Sequence, residues 1–253
     1  MILAILQARL SSSRLPGKVL LPLQGEPMLL RQIERIRRAR KVDRLIVATS
    51  THESDDPLAG LCLAHNVACF RGSLDDVLDR VFQAVLPVNP DRVVRLTGDC
   101  PLADPAVIDA VIEFCVEGGF DYASNALEPT FPDGLDVEVM RFTCLREAHA
   151  NARLPSQREH VTPYIYQHRD RYAVGSFKRT PDLSALRWTV DEIEDYRLVS
   201  AIYDALYPRN PAFSSEDILQ LLAARPEMAQ VNARFARNEG FRTSLERDSQ
   251  THR

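Results

Sequence analysis

Arg9, Arg14 and Lys18 are interleaved with Ser11, Ser12 and Ser13, so three cations and three hydroxyls crowd into one short stretch near the start of the chain. Arginine makes forked contacts with phosphate oxygens and lysine offers a point charge to the same anion, so such a stretch suits a polyanion. A solvated basic loop has the same composition, and charge spacing alone does not separate the two. Pro16-Gly17 turns the chain just before Lys18. The stretch follows the apolar run from Ile2 to Leu6, which has the length and sharp borders of a buried parallel strand. Ligands of open parallel sheets bind beyond the carboxyl ends of their strands, which is where this loop would lie. It is not a Gly-x-x-x-x-Gly-Lys-Ser/Thr loop, since Val19 follows Lys18, and it is not a Gly-x-Gly-x-x-Gly fingerprint. As part of an exposed loop, Lys18 is expected to matter more for binding than for folding.

A second group of candidates is acidic. Asp99, in Leu96-Thr97-Gly98-Asp99-Cys100-Pro101-Leu102, ends an apolar strand and points into the same crevice. Mg²⁺ takes oxygen ligands and is commonly shared between one or two carboxylates and substrate phosphates, a role open to Asp99. A turn-forming Asp bonded to its own backbone is the other reading. Asp191 ends a strand expected at 186–190 and precedes a helix at once, so it is either a helix cap or a second strand-end carboxylate. In the alternating run from Gly134 to Met140, Asp136 and Glu138 share one face, as an acid/base pair or as a solvated edge. His160 is a general base or a structural histidine.

The first loop, Gln7-Ala8-Arg9-x-Ser11-Ser12-x-Arg14-Leu15-Pro16-Gly17-Lys18, resembles the nucleotide-binding loop of the cytidylyltransferases that make CMP-activated acidic sugars, in the branch labelled spore-coat-polysaccharide or acylneuraminate cytidylyltransferase. The likeness runs from Ile2 to about Val199. It implies that Ala8, Arg9, Ser11, Ser12, Ser13, Arg14 and Lys18 bind CTP, and that Arg71, Ser73 and Arg80 lie beside the cytosine. It implies a metal site, Mg²⁺, on Asp99 and Asp191, with Asp195 as a companion. Asp136 and Glu138 fall in a segment resembling the family's sugar site. Arg158-Glu159-His160-Val161-Thr162 resembles another family segment, making Arg158 and His160 candidates for holding an acidic sugar's carboxylate. Arg9, Lys18, Asp99 and Asp191 would be the catalytic set. The implied reaction is in-line attack of an acceptor oxygen on the α-phosphorus of CTP, with pyrophosphate leaving and no nucleophile from the protein. The absence of a convincing Ser-His-Asp or Cys-His arrangement agrees.

The implied acceptor is a nonulosonic acid or related 2-keto sugar acid, for surface polysaccharide or glycan synthesis. A phosphonate or phosphomonoester acceptor is an alternative. A glycosyltransferase using a finished nucleotide sugar would ordinarily carry Asp-x-Asp at a strand end, and none is found. A silent nucleotide-binding subunit fits poorly with the retained Lys18, Asp99 and Asp191.

The elements that must position these groups alternate. Strands are expected at 2–6, 44–49, 67–70, 91–96 and 121–125, with helices at 27–40, 54–65, from 75, and at 104–117. That rhythm predicts an α/β fold with a doubly wound, mostly parallel sheet, Rossmann-like as in nucleotidyltransferases. A single domain over 1–253 is expected, interrupted at about 130–181 by an α+β insertion that projects as an arm; in relatives such an insertion helps build a homodimer and its acceptor sites. A strand at 172–177 and a helix at 215–225 follow. The polar end from Arg237 is expected to fray. The arginines of the first helix read as a solvated face rather than a nucleic-acid patch, for want of stacking aromatics.

The chain has 253 residues, 45% hydrophobic, with a formal net charge of -4, which argues against a nucleic-acid partner. Its five cysteines form no C-x-x-C pair, as in a reduced cytosolic protein. No signal-like start or long apolar run is present, so no membrane partner and a cytoplasmic location are expected.

Overall fold

A computed structural model describes residues 1–237 and 239–251. β1 (Ile2–Gln7) is the middle of the frame, paired in parallel with β4 (Arg44–Ser50) on one side and β6 (Arg92–Thr97) on the other. A minimal hairpin of β2 (Pro22–Leu23) and β3 (Glu26–Pro27) lies outside the sheet, and β5 (Cys69–Gly72) extends it beyond β4. β7 (Tyr122–Ser124), β8 (Glu138–Arg141) and β9 (Val174–Ser176) complete seven strands in the order β5-β4-β1-β6-β8-β7-β9. β8 is antiparallel to both neighbours, whereas the other pairings of this sheet are parallel.

β1 shows why the sheet is sandwiched. Successive side chains alternate in face, and Ala4 and Leu6 enter one core while Leu3 and Ile5 enter another. The first core is covered by α1 (Met28–Ile36), α2 (Asp56–Ala64), α4 (Pro105–Glu117), α8 (Ile193–Leu206) and α9 (Ser215–Ala224). The second is covered by α3 (Val77–Val85), α5 (Phe142–Asn151) and α7 (Pro163–Gln167). α6 (Pro155–His160), α10 (Pro226–Ala229) and α11 (Glu239–Thr251) complete the helices named here. No helix among the described residues is long and apolar enough to cross a membrane.

Several expectations change at this level. The segment 130–181 does not stand off as an arm: β8 enters the sheet between β6 and β7, and Leu145, Val161 and Ile165 are fully buried in the second core. Apolar residues at these positions gain more from the sheet than from projecting into water. The expected strand at 186–190 is extended chain without a ladder, pinned where Asp133 pairs with Arg187 and where Val190 N–H donates to the Asp99 carbonyl at 2.8 Å. α1 ends at Ile36, and its Arg35 is not solvated. It is 2% exposed, donates to the Ala103 and Phe213 carbonyls at 2.7 and 3.0 Å, and lies over the Phe213 ring. The polar end forms α11, docked on α6 where Ser156 N–H donates to Asp248 at 2.9 Å.

Candidate functional site

Beyond the carboxyl ends of β1 and β6 opens a cleft of about 640 Å³, within the usual range for small-ligand sites. Two tight backbone passages shape it. Gly98 lies so close to the first loop that a Cβ would sit 2.9 Å from that of Ala8. Gly134, at φ +106, crosses the 187–189 segment where a Cβ would fall 2.5 Å from the Thr189 nitrogen, so only glycine fits. That crossing brings Asp133 to Arg187, 2.9 Å away.

The first loop begins as β1 ends. The Leu10 carbonyl accepts from Ser12 and Gly17 N–H, both at 2.9 Å, which closes the loop on itself. The Leu10 N–H is taken at 2.7 Å by Asp55, a carboxylate with no exposed surface whose other oxygen accepts from Thr49 and from the backbone and hydroxyl of Ser50. Burial opposes the charge, but these hydrogen bonds hold the Asp55 carboxyl below the usual range. In the sequence Asp55 is merely an early residue of the helix expected at 54–65. Its pairing with a residue 45 positions away leaves no local signal.

Gly17, at φ +73, turns the chain into Lys18. Lys18 is buried, contrary to the expectation of an exposed loop, and its ammonium gathers the far parts of the chain. Nζ donates to the Val190 carbonyl at 2.7 Å, to Asp191 Oδ1 at 2.8 Å and to Asp99 Oδ2 at 3.3 Å, using all three of its protons. Burial lowers the lysine's proton affinity, but the two carboxylates outweigh it and its pKa is raised. Burial likewise pushes Asp99 upward, and Lys18 with the Thr97 and Cys100 side chains holds it at about 2. Two carboxylates distant in sequence, Asp99 after β6 and Asp191 after the 186–190 segment, thus converge on one cation. Among the described residues no group of three or more His, Cys, Asp or Glu could hold a metal unaided. Asp99 and Asp191 are hard oxygen donors of the kind Mg²⁺ takes together with substrate phosphate and water, once they exchange the Lys18, Arg14 and Arg187 contacts they make here.

Asp191 also receives Arg14 at 2.9 Å and Arg187 at 3.1 Å. Arg187 fans out to Asp133 at 2.9 Å and to both oxygens of Asp195 at 3.0 Å. Asp195 is fully buried and accepts further from Asp191 N–H, Glu192 N–H and Asn232. Its acceptor sites are occupied by these donors, two of which are the Asp191 and Glu192 backbone N–H groups.

Ala8, Arg9, Ser12, Ser13, Arg14, Lys18 and Arg80 line the cleft together with Asp99 and Asp191. Ser11 is exposed and outside the lining. Arg80 is 2% exposed, and burial with Arg9 nearby lowers its pKa to about 10. Arg71 and Ser73 are absent from the lining. Arg71 donates to the Ser50 and His52 carbonyls at 2.9 and 3.1 Å. Ser73 supports α3, its hydroxyl accepting from Asp76 N–H at 3.0 Å while its carbonyl accepts from Arg80 at 2.6 Å.

The opposite wall holds Asp136, Glu138 and His160. Glu138 accepts from Arg95, from Tyr122 O–H at 2.6 Å and from Thr162. Asp136 pairs with Arg237, yet burial dominates and raises its pKa to about 7. Val161, at φ +72 and ψ -54, makes a strained γ-turn in which Thr162 N–H donates to the His160 carbonyl at 2.8 Å. Without a glycine to signal it, this kink delivers both His160 and Thr162 to the wall. Burial, with Arg95 nearby, lowers the pKa of His160. Arg158 turns away from the cleft to Asp76 and the His149 carbonyl, because α6 sends it and His160 to different sides.

A family model described as cytidylyltransferase matches residues 3–233. The spore coat polysaccharide biosynthesis protein SpsF of Bacillus subtilis is 36% identical over 236 residues, covering 90% of this chain and 96% of its own. A 3-deoxy-manno-octulosonate cytidylyltransferase of Anaeromyxobacter sp. is 36% identical over 150 residues, 58% of this chain and 59% of its own. Among solved structures, a cytidylyltransferase from Leptospira borgpetersenii superposes with a TM-score of 0.85 at 30% identity, covering 90% of this chain and 96% of that one.

Proposed function

Since the chain belongs to the cytidylyltransferase family and is a CTP-using nucleotidyltransferase, we propose that it transfers CMP from CTP to an acidic sugar, with Mg²⁺ as cofactor and release of pyrophosphate. The observation that carries this reading is the buried Lys18 ammonium drawing Asp99 and Asp191 together beneath a cationic loop.

In this mechanism Arg9, Arg14 and Lys18 bind the triphosphate, and loop backbone near Ala8 and the Ser12 and Ser13 hydroxyls add donors. Asp99 and Asp191 would hold Mg²⁺, which supplies charge neutralisation at the transferring phosphoryl group when bound. Arg187 and Asp195 fix the direction of Asp191, so little reorganisation is left for the transfer step. Asp136 and Glu138 accept hydrogen bonds from sugar hydroxyls, and Arg95 and Arg237 keep those carboxylates from pointing elsewhere. Arg80 lies on the nucleotide side. The 3-deoxy-manno-octulosonate named in one relative supports a 2-keto sugar acid as acceptor, and the SpsF name supports a polysaccharide product. A cytoplasmic homodimer belongs to the same proposal, and sedimentation tests the dimer.

The test is pyrophosphate release from each of the four NTPs with Mg²⁺, against 2-keto sugar acids, sugar phosphates and phosphonates. Release with CTP and a sugar acid is expected; release only with a phosphonate would replace the acceptor. Asp99→Asn should lose turnover while still binding CTP, and unchanged turnover would remove its metal role.

A further inference from the structure

The family model stops at residue 233, yet residues after it build part of the cleft. Ala236, Gly240 and Phe241 line it. Arg237 donates to the Phe131 carbonyl at 3.0 Å and pairs with Asp136, so its guanidinium backs the wall that carries the candidate sugar contacts. The Phe241 ring meets His160 edge-on, with centroids 5.0 Å apart and planes at 87°. The Ser244 hydroxyl donates to Glu159 at 2.8 Å and lies 2.9 Å from His160 Nε2. These contacts fall on the 131–160 side of the cleft, opposite the Arg9–Lys18 loop. Other links cross toward the carboxylates, where the Ala236 carbonyl accepts from Arg187 at 3.3 Å and Arg237 lies 3.8 Å from Asp133.

An aromatic face beside carboxylates that accept hydrogen bonds suits a ligand with both an apolar ring surface and many hydroxyls, which is a sugar. We propose that Phe241 forms the acceptor-selecting wall of the cleft by packing on the sugar ring, backed by Ser244 beside His160 and by Arg237, which sets Asp136 for a sugar hydroxyl. This rests on the CMP-transfer reading above. The acceptor is thereby selected by a piece of chain outside the region matched to the family, while nucleotide binding stays within it.

The experiment compares the full chain with Phe241→Ala, Phe241→Tyr and Arg237→Gln. Pyrophosphate release with CTP is measured across the same acceptor panel, and CTP affinity by calorimetry. Phe241→Ala and Arg237→Gln are expected to raise the acceptor KM about tenfold or more, with CTP affinity within about twofold. Phe241→Tyr, which keeps the ring, is expected to retain the KM of the full chain. An acceptor KM unchanged in all of them would overturn the proposal, as would CTP affinity falling in step with it. Silence of the full chain on every acceptor would instead remove the transfer reading, and this proposal with it, before any variant is compared.

Discussion

Replacing Lys18 by alanine tests the centre of the site in two ways at once. In the folded chain the Asp99 carboxyl falls from 3.8 to about 2, an effect of roughly 2 kcal/mol, with Lys18 the leading favourable cause. Without the ammonium, Asp99 loses its pairing cation while Asp191 keeps Arg14 and Arg187, so the variant should lose about 2 kcal/mol of stability at pH 7. The sign fixes the pH window. A depressed carboxyl stabilises the fold above its unfolded value, and that contribution fades as pH falls through the folded one. The penalty should therefore shrink to about half by pH 3. The raised pKa of Lys18 contributes below 10.5 and is lost as pH rises through its folded value, so the penalty should also shrink at strongly alkaline pH. On CTP binding Lys18 is expected to exchange one of its carboxylate partners for the triphosphate, and losing that charge-assisted contact costs a further ~1.5–3 kcal/mol, or about 10- to 100-fold in CTP affinity. Urea unfolding at pH 7 and pH 3, with CTP titration calorimetry, reads both effects. An equal stability gap at the two pH values, or an unchanged CTP Kd, would refute the argument.

Asp195→Ala should cost about 3–5 kcal/mol in chemical denaturation, because it leaves the buried Arg187 short of its partner; unchanged stability would show that the network does not hold Asp191. Arg158→Ala should lower thermal stability slightly by freeing Asp76, with the KM of any acceptor unchanged; a raised acceptor KM would return Arg158 to the cleft. Asp55→Ala removes the anchor of Leu10 N–H and should destabilise by about 1–3 kcal/mol while weakening CTP binding more than acceptor binding. Kinetics that lose both substrates equally would make Asp55 merely structural.

The first half of the fold is legible because its physics is local. Apolar strands alternate with helices, and Asp76 and Asp104 cap α3 and α4 by accepting from Asp79 and Ala106 N–H. The cation-rich loop and strand-end Asp99 stand out by type and position. Beyond residue 125 the decisive contacts are long-range. The 186–190 segment has the residues of a strand, but its partners are the carbonyls of Asp99 and Asp133 rather than a neighbouring strand. Val161 adopts a positive φ that its β-branched side chain disfavours, so no residue type announces the turn. Arg35 reads as surface because an arginine normally does, and only the carbonyls offered by Ala103 and Phe213 reverse that. α11 lacks an apolar stripe strong enough to reveal its docking, which depends on Ser244 and Asp248 meeting α6.

The order of strands also carries a history of assembly. The strands of the run β5-β4-β1-β6 are all made by residue 97, although one face of that half-sheet is covered by α4, α8 and α9 from later in the chain. β7 is made before β8 yet lies outside it, and must wait for the Glu138–Arg141 strand to be inserted between itself and β6. Lys18 waits longer still, since two of its three partners belong to residues 190 and 191. Asp99 and Asp191 are therefore brought together on Lys18 only after most of the polypeptide exists.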